Sequence, residues 1–100
     1  MLVYELTKIF PREELYGLVS QMRRCAVSVP SNIAEGSQRT SEKEFAHFIL
    51  ISKGSLAELH TQAIAAKGLK YIEDGQSRML IERIIELDKM LYSFHKKLTS

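Results

Sequence analysis

Tryptophan is absent from the 100 residues, cysteine occurs once, proline twice and glycine five times. The lone Cys25 closes no intramolecular disulfide, so packing must hold the fold, and a reducing, cytoplasmic setting is expected. So little proline and glycine excludes a collagen-like or linker chain and leaves room for long helices. No apolar run reaches membrane-spanning length and no basic-then-apolar signal segment opens the sequence, so no membrane partner is expected. Charge of one sign is lacking too. Fourteen Lys+Arg against 12 Asp+Glu leave +2, which by itself points to neither a polyanion nor an acidic membrane surface. The length excludes two independent cores. What remains, 45% hydrophobic and 26% charged, is the composition of one folded domain.

The pattern present is helical. Pro11 suits a first helical position, with Glu13 and Glu14 in the first turn, and Leu15, Leu18, Met22, Cys25 and Val29 then recur at steps of three and four. Pro30 lies inside this run. It removes one backbone donor and crowds the Ala26 carbonyl, and because Ile33 and Ala34 continue an apolar face, a kinked helix over 11–36 with Gly36 as its stop is expected. Ser41-x-x-Glu44 reads as a capping box that opens a helix over 41–68. The stripe of that helix is Phe45, Ile49, Ser52, Leu56, Leu59, Ala63 and Ala66, and Gly68 is its C′ glycine. A second flank, Ala46, Leu50, Ala57 and Ile64, is more apolar surface than one neighbour needs. Leu80, Ile84, Leu87, Leu91, Phe94 and Leu98 define a last helix over 75–98. Before Pro11, Leu2, Val3, Leu6 and Ile9 allow a helical stub of about two turns. The expected fold is all-α: an antiparallel up-down-up-down four-helix bundle in one domain, 1–100, with a truncated first helix. Such a stub leaves an apolar groove beside three long helices, so a homo-oligomer is expected, with Leu50, Ala57 and Ile64 at its interface.

Catalytic chemistry finds little support. Glu44-x-x-His47 places a carboxylate and an imidazole on one helix face, but a di-iron bundle needs two such motifs and two further glutamates, so no metal is expected. Cys25 follows Arg23 and Arg24 yet sits on the core stripe, the place of a buried small hydrophobe rather than a nucleophile. Phosphate-binding glycine loops, paired-cysteine zinc spacings and nucleophile elbows are absent, so neither a cofactor nor a small-molecule substrate is expected. Sorting charges by position along a bundle, Lys8, Arg12, Lys67, Lys70 and Arg78 at one end are matched by Glu5, Glu13, Glu14, Glu73 and Asp74. The middle and the other end each carry a small excess, so no basic stripe is expected on one monomer. With most aromatics on core stripes, no stacking platform is expected either.

The segment Gln21-Met22-Arg23-Arg24-Cys25-Ala26-Val27-Ser28-Val29-Pro30-Ser31-Asn32-Ile33-Ala34-Glu35-Gly36 is more specific. It closely resembles the Gln-Leu-Arg-Arg-Ala-Ala-Val-Ser-Ile-Pro-Ala-Asn-Ile-Ala-Glu-Gly signature of the bacterial four-helix bundle family known as intervening-sequence proteins. Phe10-Pro11, Tyr16-Gly17-Leu18, Arg39-x-Ser41-x-x-Glu44-Phe45 and Gly54-Ser55-Leu56-x-Glu58-Leu59-x-Thr61-Gln62 fit the same pattern, so the resemblance covers nearly the whole chain. The sequence departs from it in two places: it begins about midway through the family's first helix, and Lys70 stands where the family usually has glycine, with Gly68 upstream.

The resemblance implies a non-enzymatic bundle that assembles as a homopentamer. It also implies kinship with the accessory protein of diversity-generating retroelements, a basic pentamer that binds nucleic acid. RNA or DNA is therefore an expected partner, with Arg23, Arg24, Arg39 and Lys43 as candidate contacts. The alternative is a structural or protein-interaction module with no nucleic-acid role. The polar signature residues Ser28, Asn32, Glu35 and Gln62 have a structural reading: the first two and Gln62 could serve the carbonyl freed at the Pro30 kink, and Glu35 could pair with Arg39 at i, i+4.

Overall fold

The computed structural model describes residues 1–100 and is all helical, 44 × 23 × 17 Å. Its elements are α1 (Leu2–Thr7), a 3₁₀ turn (Arg12–Glu14), a π-helical turn (Leu15–Val19), α2 (Ser20–Ser37), α3 (Glu42–Gly68) and α4 (Asp74–Thr99). Helix α3 packs on α2 and α4, and α1 closes the ring by touching α2 and α4, which makes the four-helix bundle. The two long stripes lie where their spacing placed them. Ile49, Ser52, Leu56, Leu59, Ala63 and Ala66 of α3 and Leu80, Ile84 and Leu91 of α4 are buried, and Phe45 meets Phe94 edge to face at 5.1 Å. A bond from Lys53 to Asp88 at 2.6 Å ties the same two helices.

At six residues α1 is too short to be stable alone, so its burial of Val3 and Leu6 is what keeps it helical. Phe10 joins them in the core while Ile9 is 66% exposed, the reverse of the expected stripe, because the chain leaves the helix after Thr7 and turns. Phe10 then stacks on Tyr71 with ring centroids 5.3 Å apart.

The expected helix 11–36 is interrupted. Pro11 stays extended (φ −56°, ψ 146°), and Gly17 lies outside helical geometry at φ −106°, ψ −108°. Glu14 explains the restart: its side chain accepts the Leu18 N–H at 3.4 Å, taking the place of a backbone carbonyl, and regular α geometry begins at Ser20. The shift of register leaves Leu15 exposed, and the buried stripe is Val19, Met22, Cys25, Ala26 and Val29. From Ser20 the helix runs through Pro30 without a break.

Two glycine assignments change. Gly36 does not stop α2, which ends at Ser37; it permits close packing, since a Cβ there would lie 2.7 Å from Phe48 Cβ and 2.8 Å from Phe45 Cδ1. Gly68 is the last helical residue of α3, and the left-handed position belongs to Lys70 (φ 62°). Lys70 N–H donates to the Lys67 carbonyl and Tyr71 N–H to that of Ala66, each at 2.9 Å, the paired bonds of a Schellman ending. Ser41 does cap α3 through Glu44 N–H at 3.1 Å, and Gln76 accepts the Glu73 N–H at 3.0 Å to open α4.

Candidate nucleic-acid interface

Because α1 folds back along the start of α2, Thr7 meets a residue sixteen positions away. Its buried hydroxyl donates to the Val3 carbonyl at 2.8 Å and accepts from Arg23 Nε at 3.0 Å. The Arg23 guanidinium also lies over the Tyr4 ring, 4.7 Å from its centroid. A hydroxyl and a ring position this cation without cancelling its charge, and Arg23 forms no ion pair.

Around Arg23 the surface opens into two adjoining grooves. The larger, about 700 Å³, runs between Tyr4 on α1 and the outer face of α2, and its polar lining is Tyr4, Tyr16, Ser20, Arg23, Arg24 and Ser28. The smaller, about 350 Å³, shares Leu15, Val19 and Arg23 with it and adds Lys8 and Arg12. Four cations line this continuous surface and no carboxylate does. That corrects the expectation of no basic stripe. Glu14, counted there as a cancelling charge, is absent from both linings and accepts the Tyr71 hydroxyl at 2.8 Å. That bond, with burial and the charges of Glu14 and Glu13, pushes the Tyr71 hydroxyl above its ordinary pKa. Two aromatics lie outside the core here: Tyr16 is 91% exposed and Tyr4 lies partly exposed in the same groove.

Arg39 and Lys43 are not part of this surface. Arg39 lies sixteen residues beyond Arg23, roughly 24 Å along a helix. It is bonded to Glu35 at 2.7 Å, as the i, i+4 spacing suggested, and stacked over Phe48. Lys43 is exposed in the first turn of α3 without an ion pair.

The remaining signature residues form a seam between α2 and α3. Asn32 Nδ2 donates to the carbonyl and the hydroxyl of Ser28, each at 2.9 Å, and Ser55 Oγ donates to Ser28 Oγ at 2.8 Å. Gln62 Nε2 reaches Cys25 Sγ at 3.6 Å, and the thiol donates to Glu58 Oε2 at 3.3 Å. Their bonds therefore go to Ser28 and Cys25 rather than to the Ala26 carbonyl. The backbone near Pro30 receives instead a bond from buried Ser52, whose Oγ donates to the Val29 carbonyl at 2.9 Å. Burial and the Glu58 carboxylate raise the Cys25 pKa, which keeps the thiol protonated at neutral pH.

Two apolar features complete the surface. Leu50 and Ile64 are 48% and 57% exposed, and with Ala57 they form an outward row on α3. Beside α1 an apolar groove of about 370 Å³ is floored by Leu56, Leu59 and Ile84 and walled by Pro30, Ile33 and Leu87. No helix is long and apolar enough to cross a membrane.

Sequence reasoning missed Tyr4, Lys8, Arg12 and Tyr16. Their one local signal was Gly17, a helix-weakening residue directly after Tyr16 in an otherwise periodic run. Comparison with curated proteins finds no match. A family model described as 23S rRNA-intervening sequence protein matches residues 1–93, and the chain belongs to that family.

Proposed function

We propose that the protein is a non-catalytic, cytoplasmic accessory protein that binds RNA or DNA through the groove beside α1 and acts as a homo-oligomer. One observation carries the reading: Lys8, Arg12, Arg23 and Arg24 share a concave surface with no carboxylate on it. Such a surface attracts phosphates, and phosphate contacts give affinity without sequence readout. Binding is then weak, largely sequence-independent and strongly salt-dependent.

The test is a titration of a labelled RNA hairpin at low and physiological salt. The variant changes Lys8, Arg12 and Arg24 to Ala and keeps Arg23, whose bond to Thr7 makes it part of the fold. Wild type should bind at low salt, and the triple variant should lower the slope of log affinity against log salt by about 2 to 3, at roughly 0.7–0.9 per phosphate contact. No binding by wild type at low salt would remove this reading and leave the interaction module. Self-association is supported by the apolar groove beside α1 and the Leu50, Ala57 and Ile64 row, because monomers rarely leave such surfaces bare. A pentamer mass by light scattering is the expected result, and a monomer mass at micromolar concentration refutes assembly.

A further inference from the structure

We propose that Tyr16 is a stacking platform for an unpaired base, so that the groove prefers single-stranded over duplex nucleic acid. The proposal rests on the nucleic-acid reading above and adds the form of the ligand.

Tyr16 is the most exposed large hydrophobic side chain in the molecule at 91%, and it stands on the stretch just before α2 where helical geometry is broken. Leu15–Val19 forms a π-helical turn, and Gly17 leaves helical geometry directly after Tyr16. With the register shifted here, Val19 of the turn and Met22 of α2 are buried and Tyr16 is left on the groove side.

What surrounds the ring argues for a nucleotide. Arg24 lines the same groove and forms no ion pair, and Arg23 is held by Thr7 and Tyr4 with its charge uncancelled. An exposed ring beside free cations is the pairing that non-specific single-strand binders use: the cations follow the backbone and the ring takes the π-face of any base. In a duplex those faces are already stacked on one another, so only an unpaired nucleotide can use the ring. Tyr4 is already covered on one side by the Arg23 guanidinium, which leaves Tyr16 as the open platform.

The experiment titrates the full chain with two labelled probes of equal phosphate number, an oligouridylate and a hairpin whose stem is fully paired and whose loop is a non-nucleotide linker, at two salt concentrations. Tyr16→Ala should weaken oligouridylate binding roughly 5- to 150-fold, the weight of one base–aromatic stack, while leaving hairpin binding and both salt slopes unchanged. Tyr16→Phe keeps the ring and should restore affinity. If Tyr16→Ala binds the oligouridylate like wild type while the Lys8, Arg12 and Arg24 variant loses binding, stacking is wrong and the electrostatic reading stands. An equal loss on both probes, or an altered oligomer mass in Tyr16→Ala, also overturns the platform by making Tyr16 a structural or assembly contact. Failure of wild type to bind either probe removes both readings.

Discussion

Both ends of α2 hold an arginine over an aromatic ring at the same distance, Arg23 at 4.7 Å from Tyr4 and Arg39 at 4.7 Å from Phe48. They differ in the third partner. Arg39 is bonded to a carboxylate four residues back, which cancels its charge within one helical turn. Arg23 is bonded to a neutral hydroxyl contributed by α1, sixteen residues back, and keeps its charge. One geometry thus yields a charge-paired surface at one end and a basic groove at the other, and the identity of a single hydrogen-bond acceptor separates them.

The charge-paired end also holds the close α2–α3 approach at Gly36, and breaking it gives the largest expected effect. A Cβ on Gly36 would lie 2.7 Å from Phe48 Cβ, a distance that real side chains do not occupy, so the α2–α3 contact must open. Gly36→Ala should cost about 1–3 kcal/mol. For a domain of this size that lowers the melting temperature by roughly 4–8 °C per kcal/mol, measured by circular dichroism. Wild-type melting would show that this end tolerates separation.

At the groove end the corresponding change is Thr7→Val, which keeps the shape and removes the hydroxyl. Arg23 then loses its polar anchor, and because Arg23 is only partly buried and can recover water, a loss of about 1.5 kcal/mol is expected, at the low end for bonds to charged groups. The urea midpoint should fall with the slope unchanged. An unaltered midpoint would mean that the Thr7 bond does not help to hold α1 on α2.

The same contrast explains what the sequence made legible. The stripes of α3 and α4, the Ser41 cap and the Glu35–Arg39 pair rest on contacts within a few residues or on a repeating period, and each could be read from spacing. The groove rests on α1 folding over α2, which brings Tyr4, Lys8 and Arg12 to Arg23 and Arg24, and no local pattern encodes that packing. Sorting charges by bundle end failed there because it put Arg23 and Arg24 with the middle of the bundle, apart from Lys8 and Arg12, and counted Glu14 as free although its carboxylate is bonded to the Tyr71 hydroxyl. The break at Gly17 was unread for a related reason: the Glu14 side chain competes for a backbone donor, and a period of three and four cannot show such a competition.

A smaller effect is expected at the turn between α3 and α4, where the family pattern has glycine and this chain has Lys70 in the left-handed region. A side chain there costs about 1–2 kcal/mol of backbone strain, part of which glycine would recover. Lys70→Gly should therefore stabilise the fold by about 1 kcal/mol. Gly68→Ala, with open space around its Cβ and a position in the last helical turn, should add about 0.5 kcal/mol. The two midpoints, measured separately and together, test whether the Schellman geometry is set by Ala66 and Lys67 rather than by the residue at the turn.

The smallest stability effect belongs to Glu35→Gln, which makes Arg39 resemble Arg23 by leaving it a ring and a neutral partner. The pair is exposed on both sides, so its loss should change stability by less than about 0.5 kcal/mol. Its value lies in binding. Net charge rises by one, as it would for a cation added inside the groove, but Glu35 lies twelve residues along the helix from Arg23, roughly 18 Å and well beyond the screening length of about 10 Å at 0.1 M salt. A groove that binds phosphates by local contact should not register the change in either hairpin or oligouridylate affinity. If Glu35→Gln instead strengthens both, attraction is a property of the whole charged surface, and the difference between the two ends of α2 does not select where a polynucleotide binds.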